Sequence, residues 1–201
     1  MSLRKRKKGP RQESLADRIE RLASIVQSAN SSERQVCYNE IADWLGRPRD
    51  RPLAIGLSGR LGIQNNAPEI LKLLQASNDP YECSKYILAL GQLEYAPATE
   101  LIQSKFLHGK TRNAAMVALM LINPASVKYE FKEYAQQNQK HAVVLAGIVL
   151  EEYHARHGLK GTKQYLSVIP KEVLRKVPSL FRLPSVLLDS VRNYSRRTWL
   201  S

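Results

Sequence analysis

Four stretches of the chain repeat one apolar pattern at nearly even spacing: IGLSGRLG from Ile55, ILALGQLE from Ile87, MVALMLIN from Met116 and VLAGIVLE from Val144. Placing Leu61, Leu93, Ile122 and Leu150 in register gives steps of 32, 29 and 28 residues. A helix-length apolar pattern returning at that period is the signature of stacked helical hairpins. Each hairpin buries its apolar face only against its neighbours. The spacing therefore predicts an all-α chain, a right-handed α-solenoid of about four to five hairpins closed by a C-terminal helical cap.

Local signals place the helices. Ser14-x-x-Asp17 forms a capping box ahead of Leu15, Ile19, Leu22, Val26 and Ala29, one face of a helix. Ser32-x-x-Gln35 is expected to cap a second helix with Val36, Cys37, Ile41, Trp44 and Leu45 inward, ended by Gly46. Pro52 opens the next helix, which runs to Leu61 with Gly62 as its stop. Pro68, Asp79-Pro80 and Pro97 mark three further starts. Thr111 is expected to cap 112–122, which Asn123-Pro124 ends. Val127, Phe131 and Tyr134 mark another helix, and 141–156 form a long apolar one stopped at Gly158. Beyond Thr162, Pro170, Pro178 and Pro184 cut the chain into short apolar pieces, the expected cap. The organisation is thus a disordered basic tail (1–12), a repeat domain (13–160) and a basic, Pro-broken helical cap (161–201).

LSGRLGIQNNAPEILKLL from Leu57 and DPYECSKYILALGQLEYAPATELI from Asp79 resemble HEAT repeats, especially the short kind of the phycobilisome-lyase-type group. The chain keeps the Asp79-Pro80 turn and Leu90-Gly91-x-Leu93. It departs after the turn, where Glu82 and Cys83 replace the usual inward Arg. The resemblance covers about 50–155. It implies a scaffold that binds other macromolecules. Some such folds act on bilins, and one branch of HEAT-like solenoids consists of alkylpurine DNA glycosylases.

Charge separates the scaffold from its ends. The formal charge is +13. Residues 1–12 carry six basic residues and no acid, and 154–201 carry ten basic residues against Glu172 and Asp189. Residues 13–153 hold 15 basic and 16 acidic residues and are neutral. A neutral body with basic ends points to polyanion contact at the ends rather than along the repeat. No apolar run approaches the roughly 18 residues of a transmembrane helix. The basic N-terminus lacks the apolar segment of a secretory signal. Cys37 and Cys83 are expected as free, buried thiols in a reducing compartment. The expected location is the cytoplasm, or the nucleus in a eukaryote.

Three basic groups are candidate polyanion sites. The first is Arg4, Lys5, Arg6, Lys7 and Lys8, suited to phosphate contact through counterion release. The second is the loop Arg47, Arg49 and Arg51. The third is Arg192, Arg196 and Arg197, interleaved with Tyr194 and Trp199, which suits base stacking or an anionic membrane surface. Trp44 shares the apolar face of Val36 and Ile41, so it reads as core. Glu151-x-x-His154 matches half of a carboxylate-bridged metal site, but the chain has one copy, which His157 and Glu152 do not complete. His108 and His141 fall at expected turns. No catalytic motif, metal set or cofactor loop is present. The expected function is a non-enzymatic adaptor: a protein partner on the repeat surface, nucleic acid or anionic membrane at the basic ends, and an oligomeric state the sequence does not specify. The alternatives are a bilin lyase-like or alkylbase-glycosylase enzyme and a peripheral membrane adaptor.

Overall fold

The structure, a computed structural model, describes residues 21, 22, 24, 30–106 and 109–180. Among them every regular element is helical and no strand occurs. The expected tail, the Ser14-x-x-Asp17 capping box and the chain from 181 onward lie outside the described residues.

Helix α1 (Ser31–Leu45) begins two residues earlier than Ser32-x-x-Gln35 predicts. Asn30, in an extended conformation, is the cap, and its Oδ1 accepts the Glu33 amide at 3.0 Å. Cys37, Ile41, Trp44 and Leu45 are buried, but Val36 is 67 % exposed. It stands one residue off the 37–41–44 stripe, so the helix turns it to solvent.

Three copies of one unit follow. Helix α2 (Arg51–Leu61), a 3₁₀ turn (Gln64–Asn66) and α3 (Ala67–Ala76) form the first. Helix α4 (Pro80–Gln92), a turn (Ala96–Ala98) and α5 (Thr99–Phe106) form the second. Helix α6 (Arg112–Ile122), a turn (Pro124–Val127) and α7 (Lys128–Gln137) form the third. Asp79 caps α4 as expected, its Oδ1 accepting the Tyr81 amide at 3.0 Å. Pro97 does not open α5: it lies inside the 3₁₀ turn, and the helix starts at Thr99. Thr111 precedes α6 but caps no helix amide; its Oγ1 instead donates to the Lys105 carbonyl at 2.6 Å.

The repeat extends to the hydrogen bonds that end the helices. The Ile63 amide donates to Ser58 O at 2.9 Å, and 32 residues on the Tyr95 amide donates to Leu90 O at 3.0 Å. Both are six-to-one closures of a helix end, which require a left-handed residue between. Gly62 supplies it at φ 67° in the first copy, and Glu94 supplies it at φ 51° in the second.

The first helices of each unit form a continuous row: α2 packs on α4, α4 on α6, and α6 on α8 (Gln139–Leu166). Each second helix packs on the first helix of the following unit or, for the last, on α8: α3 on α4, α5 on α6 and α7 on α8; α1 packs on α2. Glycine sets the spacing within the row. Gly91 of α4 faces the Ala118 backbone of α6 with no room for a methyl group, and Gly59 of α2 lies close to the Ala89 backbone of α4, where a methyl group would make a tight contact and displace the end of Gln92. At the centre, α6 is buried on every face from Ala114 to Leu121, the condition under which an all-apolar helix is stable.

The regular helix of α8 breaks at Gly158, as expected, but a second helical segment follows it directly. The chain bends there, at φ 61° and ψ −161°, and the second segment continues to Leu166; His141 lies within the first segment rather than at a turn. Short helices α9 (Lys171–Leu174) and α10 (Val177–Leu180) pack back onto α8 through buried Val173, Leu174 and Val177. No helix among the described residues is long and apolar enough to cross a membrane.

Candidate functional site

Of the basic residues singled out by sequence, the described structure contains one group, the turn between α1 and α2. Arg47 and Arg49 are exposed there. Arg51 is not equivalent to them. It is the first residue of α2, half-buried, and its Nε donates to the Leu45 carbonyl at 2.8 Å. A guanidinium on a terminal carbonyl satisfies an orphan acceptor and complements the negative end of α1. The turn therefore offers two free-standing arginines and one that closes a helix. Arg4, Lys5, Arg6, Lys7, Lys8, Arg192, Arg196, Arg197, Tyr194 and Trp199 lie outside the described residues.

The densest polar cluster was not foreseen. One turn of α8, residues 152–157, reaches across the C-terminal ends of the row. Gln92 Nε2 donates to Glu152 Oε1 at 2.9 Å, joining α4 to α8. Arg156 Nη2 donates to the Gly59 carbonyl of α2 at 2.9 Å, and its Nε lies 3.7 Å from Glu152. His157 Nε2 and Glu94 Oε1 are 2.5 Å apart. Tyr153 stacks between His157 and Tyr165, with ring centroids 4.3 and 3.9 Å away. The Tyr165 hydroxyl donates to Leu121 O of α6 at 3.2 Å. Burial pushes the Tyr165 phenol far above its ordinary range, with smaller contributions from Tyr153 and Glu94.

The chemistry of this cluster is cohesive. Its cation bridges a carboxylate and a helix-end carbonyl, its imidazole meets a carboxylate, and its aromatic rings cross the bend at Gly158. The sequence carried one signal for it. In the aligned copies the left-handed stop is Gly62 in one and Glu94 in the next, and a carboxylate at that position needs a reason. The remaining partners become neighbours only in the fold.

The half-motif at Glu151-x-x-His154 splits. Glu151 is exposed, whereas His154 Nδ1 is buried without a hydrogen-bond partner. Among the described residues no three His, Cys, Asp or Glu side chains converge as a metal-ligand set. Cys37 and Cys83 are free and buried. Burial, then the Glu40 charge, raises the Cys37 thiol pKa, which disfavours the nucleophilic thiolate. Cys83 donates to the Ser77 carbonyl at 3.3 Å at the edge of a cavity of about 350 Å³. That cavity lies between the starts of α4 and α6 and is also lined by Lys105, Lys110 and Thr111.

No family model, curated protein or solved structure matches the chain.

Proposed function

We propose that the protein is a non-enzymatic adaptor built on a HEAT-like α-solenoid, which binds a protein partner on its repeat surface and a polyanion, most simply nucleic acid, at its basic ends. One observation carries this reading: the helix–3₁₀ turn–helix unit occurs three times, and its first helices stack in sequence order. A row of that kind offers an extended surface for a macromolecule. The charge distribution supplies the second half of the reading, because the cationic excess falls outside the neutral repeat. Arg47 and Arg49 add an exposed cationic turn to the body.

The enzyme alternative finds less support. A base-excising groove needs an aromatic facing the substrate, and Trp44, the aromatic beside the basic turn, is 1 % exposed.

The test is a salt titration of binding to a mixed-sequence oligonucleotide, with the full chain and with a chain lacking 1–12 and 190–201. Each phosphate contact contributes about −0.9 to the slope of log affinity against log salt for duplex DNA. The full chain is expected to bind with a steep slope and the truncated chain to lose most of it. Equal slopes for the two proteins would remove nucleic-acid binding by the ends.

A further inference from the structure

Helices packed in a row contact only their neighbours, and such arrays can open from one end while the rest stays folded. Here α2, α4, α6 and α8 pack in that order. The polar turn of α8 breaks the rule. Glu152 and His157 bypass α6 to reach Gln92 and Glu94 at the end of α4. Arg156 bypasses both α6 and α4 to reach Gly59 O at the end of α2, 97 residues away.

Two backbone features bracket this turn. Glu94 is held at φ 51°, and it is the only non-glycine residue with positive φ among the described residues. Gly62, its counterpart in the previous copy, occupies the same position without strain. The carboxylate that replaces glycine there is the one that meets His157. Immediately after His157, Gly158 adopts a conformation that only glycine tolerates and redirects the helix. The turn thus ends at a hinge.

We propose that residues 152–157 form a releasable strap, hinged at Gly158, that fastens α2 and α4 to α8 and makes the row open and close as one cooperative unit. With the strap seated, α2 cannot separate from α4 without also breaking the Arg156 bond. With it released, the row reverts to neighbour-only contacts and frays from the α2 end. The strap acts on the shape of the row whatever partner the protein binds.

Hydrogen–deuterium exchange on the full chain tests this with three substitutions. Glu94→Gly removes the carboxylate and relieves the left-handed strain, so its two effects on stability have opposite sign. Through the strap, it is expected to accelerate exchange in 51–61 and 80–92 about ten- to hundred-fold, the effect of losing one or two charge-assisted hydrogen bonds. Exchange in 112–122, the buried centre, stays slow. Arg156→Met, which keeps the aliphatic stem, is expected to accelerate 51–61 in the same way. Glu94→Gln keeps an acceptor for His157 and is expected to retain most of the protection. The proposal is overturned if Glu94→Gly leaves 51–61 and 80–92 as protected as before, or if any of the variants accelerates 112–122 equally, which would be general destabilisation.

Discussion

Gly91 of α4 lies flush against Ala118 of α6: a methyl group built on Gly91 collides with both the Cα and the Cβ of Ala118. This approach fixes the distance between the middle helices of the row. At Gly59 a methyl group meets first the movable end of Gln92 and then the Ala89 Cα at 3.2 Å. At Gly56 it meets nothing within 4 Å. Three alanine substitutions in similar helices should therefore differ in sign. Gly91→Ala is expected to destabilise by about 1–3 kcal/mol through overpacking against backbone. Gly59→Ala should fall between, and Gly56→Ala should stabilise by about 0.5–1 kcal/mol through helix propensity. Urea denaturation midpoints of the three variants give the order directly.

The basic turn separates into structure and surface. Arg51→Ala removes a charged donor from the Leu45 carbonyl and is expected to cost about 1.5–3 kcal/mol. Arg47→Ala and Arg49→Ala, at exposed positions, should change stability by less than about 0.5 kcal/mol. Thermal melts of the three single variants distinguish the roles, and equal losses would show that all three arginines are structural.

The start of α1 offers a paired comparison. Asn30→Ala takes away the side chain that accepts the Glu33 amide, with an expected cost of about 1 kcal/mol. Ser32→Ala, inside the helix, should be nearly neutral. Chemical denaturation of both variants decides whether the cap lies where the backbone is extended or where the sequence motif suggested.

Gly158 has open space around it, so only its backbone conformation resists substitution. Gly158→Ala is expected to cost about 1–3 kcal/mol, the range for a residue forced into a glycine-only region. A stability measurement matching wild type would mean that the bend had straightened. Far-ultraviolet circular dichroism would then show increased helix.

Alkaline pH should unfold the protein through its buried phenols. Burial raises Tyr165, Tyr86, Tyr134 and Tyr153 above the ordinary tyrosine value of 10.0. The unfolded chain releases these protons near that value while the folded chain retains them, so the unfolded state binds fewer protons. The stability contribution is complete below about pH 10 and declines as pH rises above it. For Tyr165, which is fully buried, the decline is about 1.4 kcal/mol per pH unit. Denaturation midpoints from pH 8 upward measure the slope, and Tyr165→Phe should make it shallower. An unchanged slope in that variant would show that Tyr165 is not a source of the alkaline loss.

The sequence by itself determined the helical content, the unit and its period. Period-3.6 patterning and Asp, Pro and Gly at helix ends are local signals, and local physics is what they encode. The stop at Gly62, the Asp79 cap and the burial of Trp44 and Cys83 were all legible there. The misplacements were also local: Pro97 suits a 3₁₀ turn as well as a helix start, because its fixed φ serves both. Val36 was misread because an apolar residue one position off the stripe is indistinguishable by composition.

The tertiary structure alone decided where the polar groups of α8 go. In the sequence, Glu152 and His157 stand out only as residues that do not complete a metal half-site, and Arg156 carries no signal. Their partners are a carbonyl at Gly59 and side chains at Gln92 and Glu94, at separations of 97, 60 and 63 residues. No periodicity carries information over such distances, and a backbone carbonyl has no sequence identity at all. The row could bring these groups together only because Gly59 and Gly91 let its helices lie close enough for one turn of α8 to span them.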